Sequence, residues 1–125
     1  MKFARALAVT AAIGSVAAMS TIPAHAATGY NRCPAGRFCA FTGPNGTGVI
    51  AIYTKSDRNL ADRVGPRGMN NNIESAWNRY KWEFGLMNDA NFAGKGVIYK
   101  SGAKGNVPKN LVNKASSVWF VRADQ

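Results

Sequence analysis

Apolar and polar positions along this chain keep no helical period. After an Ala-rich apolar run at residues 6–18, short apolar stretches alternate with clusters of Gly, Pro, Asn, Asp and Ser. The clusters recur at roughly 6 to 12 residue intervals, the spacing of an all-β sandwich or barrel. The pattern predicts strands over residues 37–41, 48–53, 75–78, 82–87, 96–99 and 116–122. Val49-Ile50-Ala51-Ile52-Tyr53 and Trp82-Glu83-Phe84-Gly85-Leu86 carry the β-branched and aromatic residues that strands favour. Residues 54–69, rich in Arg and Asp, and 100–111, rich in Gly, Lys and Asn, read as irregular.

The pattern occurs twice. Phe38-Cys39-Ala40-Phe41 lies over Phe84-Gly85-Leu86-Met87 at an offset of 46, and Gly48 falls on Gly94 at the same offset. Each half then runs through an apolar stretch ending in tyrosine, Tyr53 or Tyr99. Each closes on a matched motif, Asn70-Asn71-Asn72-Ile73-Glu74-Ser75-Ala76-Trp77 or Val112-Asn113-Lys114-Ala115-Ser116-Ser117-Val118-Trp119, now at an offset of 42. Two like halves of short strands imply two Greek-key motifs packed face to face. Their boundaries are expected at about 31–80 and 81–125. Trp77 and Trp119, at matched places, are expected in the core, since a buried indole removes a large apolar area from water.

The start of the chain is a separate matter. Lys2 and Arg5, the apolar run, and Ala24-His25-Ala26 form the three parts of a secretory signal peptide over residues 1–26, leaving 27–125 as the domain. The apolar run is shorter than the ~20 residues that span a bilayer, so no membrane span is expected. An exported chain meets oxidising conditions, so Cys33 and Cys39 are expected to be bonded. So short a loop contributes roughly 2 kcal/mol by chain entropy.

Charge and chemistry narrow the function. The chain holds 16 Lys and Arg against 6 Asp and Glu. A secreted protein of that charge adheres to polyanions such as cell-wall polymers. The one histidine, His25, lies in the signal peptide. Its loss removes Ser-His-Asp and Cys-His catalysis and any imidazole zinc site, and no enzyme activity is expected. Asp57 and Asp62 share their loop with Arg58 and Arg63 and read as solvated ion pairs. Tyr80-Lys81-Trp82 joins charge to aromatics without a nucleic-acid-binding motif, and no nucleic acid is expected as partner.

The matched motifs resemble the βγ-crystallin fold, whose repeat has an aromatic strand, a hairpin ending aromatic-x-Gly, and an Asn/Asp-rich segment ending in Ser. Phe92-Ala93-Gly94 supplies that hairpin in the second half; Gly46-Thr47-Gly48 stands there in the first half without the aromatic. Within that superfamily the start CPAGRFC, and the Ser-x-Trp segment around Trp77, resemble the small secreted metalloproteinase inhibitors of actinomycetes. The resemblance implies an all-β, βγ-crystallin-like double Greek-key sandwich, secreted and monomeric, that blocks an extracellular metalloproteinase. The inhibitory contact is then expected in the hairpin at residues 88–96, at Asp89, Ala90, Asn91 and Phe92. In that family the corresponding loop sits within a second disulfide, whereas here no cysteine follows Trp77, leaving the loop without a covalent brace. The resemblance also implies one weak calcium site from Asn70, the backbone near Asn72, and Ser116. Its partner site has Val112, which offers no side-chain oxygen, beside Glu74. The alternative reading is a killer-toxin-like basic protein directed at the cell wall.

Overall fold

Where β-branched and aromatic residues cluster between turns, strands form. The computed structural model describes residues 29–121; the expected signal peptide lies outside the described residues. The strands are β1 (Phe38–Phe41), β2 (Ile50–Tyr53), β3 (Ser75–Asn78), β4 (Glu83–Met87), β5 (Gly96–Tyr99), β6 (Lys104–Asn106) and β7 (Ser117–Val121). Among the described residues the only helical pieces are single 3₁₀ turns at Tyr30–Arg32, Pro44–Gly46 and Ala90–Phe92. None of these is long and apolar enough to cross a membrane. All six strands expected from the sequence are present, with ends moved by at most two residues. β6 was not expected. Its sequence, Lys-Gly-Asn, has no alternation and no β-branched residue, and only its pairing with β3 makes it a strand.

The strands form two antiparallel sheets, in the order β2-β1-β3-β6 and β5-β4-β7. The sequence repeat maps β1, β2 and β3 onto β4, β5 and β7. β6, from the second half, completes the first sheet by setting Gly105 opposite Ala76 and Lys104 opposite Trp77. In return, Asp57 of the first half forms a bridge with Val118 of β7, with N–O distances of 2.8 Å in both directions. Each half thus lends a segment to the other's sheet, and the halves interlock.

The core follows from strand alternation. Phe38 and Ala40 of β1 face inward, and so do Phe84 and Leu86 of β4. Phe38 and Phe84, equivalent by the repeat, stack at 4.7 Å with parallel rings, and Phe84 stacks on Phe120 at 5.4 Å. Tyr53 and Tyr99, also equivalent, flank Phe38 at 6.2 and 6.0 Å. At the junction of the halves, buried Asn78 donates to Trp82 O and Tyr99 O, both at 2.8 Å, and accepts from Tyr80 N–H. Every polar atom of that side chain is paired, as burial demands.

The tryptophans do not occupy the core, contrary to expectation. On β3 and β7 the inward positions next to them belong to Ala76 and Val118, both fully buried. The period of two therefore turns Trp77 and Trp119 to the outer faces. Trp77 is half-buried under a small second cluster of Cys33, Cys39, Phe41, Tyr30 and Ile50. Trp119 stays 36% exposed. The Cys33–Cys39 disulfide is formed, with Cα atoms 5.8 Å apart, and covers the outer face of the first sheet. Arg79 ties the same corner by donating to Cys33 O at 2.8 Å.

Candidate functional site

The hairpin between β4 and β5 makes one tight turn at Ala90–Phe92, in which Asn91 and Phe92 both have positive φ (60° and 62°). Asn tolerates that region, but an aromatic residue rarely adopts it. The surroundings hold it there. Phe92 N–H donates to Ser117 Oγ (3.1 Å), and the Ser117 hydroxyl donates to Asp89 O (2.7 Å). Asn91 N–H donates to Arg58 O (2.7 Å), and Asp89 N–H to Ala93 O (3.2 Å). At the neck, Asn88 Oδ1 accepts from Lys95 N–H (3.0 Å). The hairpin expected to lack a covalent brace is therefore fixed by hydrogen bonds, chiefly through a buried serine on β7.

The first half repeats the device. Gly46 N–H donates to Ser75 Oγ (2.9 Å), and Ser75 donates to Gly43 O (2.7 Å). Phe92 thus occupies the position that glycine holds in the first turn. The Gly46 position leaves no room for a side chain, since an added Cβ would come within 2.5 Å of Tyr30 N.

Of the four residues expected at the inhibitory contact, Asp89 and Asn91 are exposed, and Ala90 and Phe92 half-buried. The Phe92 ring is directed back against the molecule, beneath the Arg58 guanidinium at 5.6 Å from its centroid. Its neighbours Asp89, Ala90 and Asn91 form the tip.

The Asn-rich motifs lie side by side. Asn71 N–H donates to Ala115 O (2.9 Å) and Asn113 N–H to Ile73 O (3.0 Å), which sets the Asn70–Asn72 turn beside Ser116. Asn70 Oδ1 is buried without a hydrogen-bond partner, whereas the Asn72 side chain donates to Gly68 O (3.0 Å). In the partner motif, Glu74 accepts from Asn113 at 3.1 Å. An unpaired amide oxygen fits a calcium ligand. Among the described residues, however, no three His, Cys, Asp or Glu side chains gather as a metal cluster.

Beside the turn runs a cleft of about 720 Å³, which sequence reasoning missed. The end of β2 and the loop after it, residues 52–58, form one side and Val64–Pro66 another, with Phe92 and Trp119 as aromatic walls. Two side-chain oxygens of its lining residues, Tyr53 OH and Asp57 Oδ2, are buried without partners. Burial pushes the Asp57 carboxyl above the ordinary aspartate value; the Asn59 N–H opposes this and the nearby Asp62 adds to it. Burial likewise pushes the Tyr53 hydroxyl up, with the Asp57 charge adding. The signal available in the sequence was the pair Tyr53 and Trp119, each recognisable by the repeat, with Trp119 read only as packing.

The sequence profile of peptidase inhibitor family I36 matches residues 26–99. No curated protein gives a significant sequence match. Among solved structures, a βγ-crystallin domain from Flavobacterium johnsoniae is similar at 25% identity and a TM-score of 0.58, covering 70% of this chain and 97% of that one. A βγ-crystallin from Ciona intestinalis is similar at 18% identity and a TM-score of 0.58, covering 69% of this chain and 100% of that one. A structure from work on the evolution of the eye lens βγ-crystallin domain fold reaches a TM-score of 0.63 at 17% identity, covering 71% and 89%. The fold is thus the expected all-β, βγ-crystallin-like double Greek key.

Proposed function

The chain belongs to peptidase inhibitor family I36, and from that premise we propose that it blocks an extracellular metalloproteinase through the turn at Asp89, Ala90 and Asn91. The observation that supports this most is the pinning of the turn from beneath by Ser117, Arg58 O and Asn88. An inhibitory loop gains affinity by being ordered before it binds, because less freedom is lost on association. Hydrogen bonds supply here the rigidity that a second disulfide supplies in the family resemblance. Asp89 and Asn91 at the tip are exposed, and Asp89 offers a carboxylate of the kind that ligates zinc at an open coordination position. The formed disulfide fits export to an oxidising compartment, and a signal peptide over residues 1–26 remains part of this proposal.

The test replaces Asp89, Ala90 and Asn91 together with residues that keep the turn, using Gly at 91 to retain its positive φ. Near-UV circular dichroism checks the fold, and inhibition of a thermolysin-like enzyme is then measured. The expected result is a native spectrum with inhibition weakened at least tenfold. A folded variant as potent as the parent would move the contact elsewhere, and the basic stretch at residues 100–109 would be examined next.

Calcium binding, on this reading, is weak and confined to one site. Asn70 and Ser116 can contribute to it, with no carboxylate to raise affinity. Calorimetry revealing two sub-micromolar sites would contradict that.

A further inference from the structure

The two halves of the molecule repeat each other, so a place where they differ asks for a reason. Tyr99 and Tyr53 are equivalent core tyrosines. The Tyr99 hydroxyl donates to Gly105 O at 3.0 Å, on the segment that crosses over from its own half. The crossing segment of the first half carries Asp57 at the matching bridge position, and there the Tyr53 hydroxyl has no partner although Tyr53 is only 4% exposed. An unpaired buried hydroxyl carries a desolvation cost. Asp57 Oδ2 is unpaired as well, while its backbone is fixed to Val118 and its Oδ1 accepts from Asn59 N–H (3.2 Å).

The tryptophans differ in the same way. Trp77 carries two cations over its ring, Arg79 at 4.7 Å and Lys104 at 4.8 Å. Lys104 lies directly opposite Trp77 in the sheet. Beside the Asp57–Val118 bridge on β7, Ser56 precedes Asp57, and its hydroxyl accepts from Phe120 N–H at 2.8 Å. Among the described residues no cation stands over Trp119. One half thus satisfies its outer indole with cations from its own chain. At Trp119 the molecule instead presents an open cleft lined by its exposed indole, by Tyr53 and Asp57 with their unpaired oxygens buried, by Ile52, Val64 and Pro66 as apolar surface, and by the cations Lys55 and Arg58.

We propose that this cleft binds a lysine or arginine side chain of a protein partner, its apolar stem against Ile52 and Val64 and its cation served by Trp119 and Asp57. A cation on an indole face is attracted by the ring quadrupole, most strongly where water is excluded. A carboxylate and a cationic donor make the stronger class of hydrogen bond. Mostly apolar walls with a few convergent polar groups are the ordinary make-up of a ligand pocket. Phe92 lines both this cleft and the inhibitory turn, yet the site goes beyond the inhibitory reading and is tested without any peptidase.

The experiment titrates ¹⁵N-labelled protein with N-acetyl-arginine amide and, in parallel, with neutral N-acetyl-norleucine amide, following by NMR the indole N–H signals and the backbone N–H signals of residues 52–58, which also report on the Trp119→Ala variant. The expected result is a saturable shift of the Trp119 signal by the arginine probe in about the millimolar range, with the Trp77 signal unmoved and no saturation by norleucine. Asp57→Asn should weaken the arginine probe about tenfold, and Trp119→Ala should weaken it with Asp57 intact. Equal binding of the neutral probe, no saturable shift, or unchanged affinity in both variants would overturn the proposal. Trp119→Ala lies on an exposed position, so it keeps the test decisive if Asp57→Asn fails to fold.

Discussion

Single side chains in this protein are understood through what they are paired with. Asn78 has every polar atom satisfied and holds the two halves at their junction. Asp57 has one oxygen satisfied and one not, and that difference has a measurable sign. Its carboxyl titrates above the ordinary aspartate value when folded, mainly because burial disfavours the charge. Between the unfolded and folded values the native state binds more protons than the unfolded one. Stability therefore falls as pH rises through that window, from about 4 upward, and stays lower above it. Asp62, Lys55, Arg58 and the Tyr53 hydroxyl line the same cleft and set the local field. Asp57→Asn is expected to flatten this part of the pH profile and to leave the protein more stable than the parent at neutral pH. Urea unfolding at several pH values checks it; a parent whose stability rises across the window would contradict the assignment.

At the scale of elements, the repeat was legible because glycine, tyrosine and the Asn-to-Trp motif recur in register, and the strands they bound were placed from β-branched and aromatic content. β6 was not legible. Lys104, Gly105 and Asn106 carry no strand pattern, and their conformation is imposed by hydrogen bonds to β3. The burial of the tryptophans was misjudged for a related reason. Residue size suggests a core position, but facing is set by register, and Ala76 and Val118 hold the inward places. The role of Ser117 was visible only as a matched serine; its bonds to Phe92 and Asp89 come from folding. Those bonds yield an element-scale expectation. Ser117→Ala removes a buried hydroxyl that serves two partners, at a cost of roughly 1–3 kcal/mol. It frees the second turn and should reduce inhibition severalfold beyond any loss of folded protein. Ser75→Ala makes the same cut under the first turn, with a similar stability cost and unchanged inhibition. Paired measurements of denaturant midpoint and inhibition constant distinguish them. Equal inhibition by both variants would mean that Ser117's hold on the turn has no part in binding.

For the whole molecule, interlocked sheets, a stacked Phe38–Phe84 centre and a disulfide on the outer face form a frame that carries the same turn twice. The frame offers one turn bearing Phe92 and flanked by a cleft, and another closed by Gly46 and Tyr30. The proposed inhibitory contact lies in the half that departs from the repeat, in a chain that belongs to peptidase inhibitor family I36. The most direct measurement is titration of a thermolysin-like metalloproteinase at fixed concentration with the purified, oxidised protein. Residual activity should fall in proportion to added protein to a one-to-one end point, and excess peptide substrate should restore it. Full peptidase activity at a hundredfold excess of folded protein, across metalloproteinases of that class, would contradict the account.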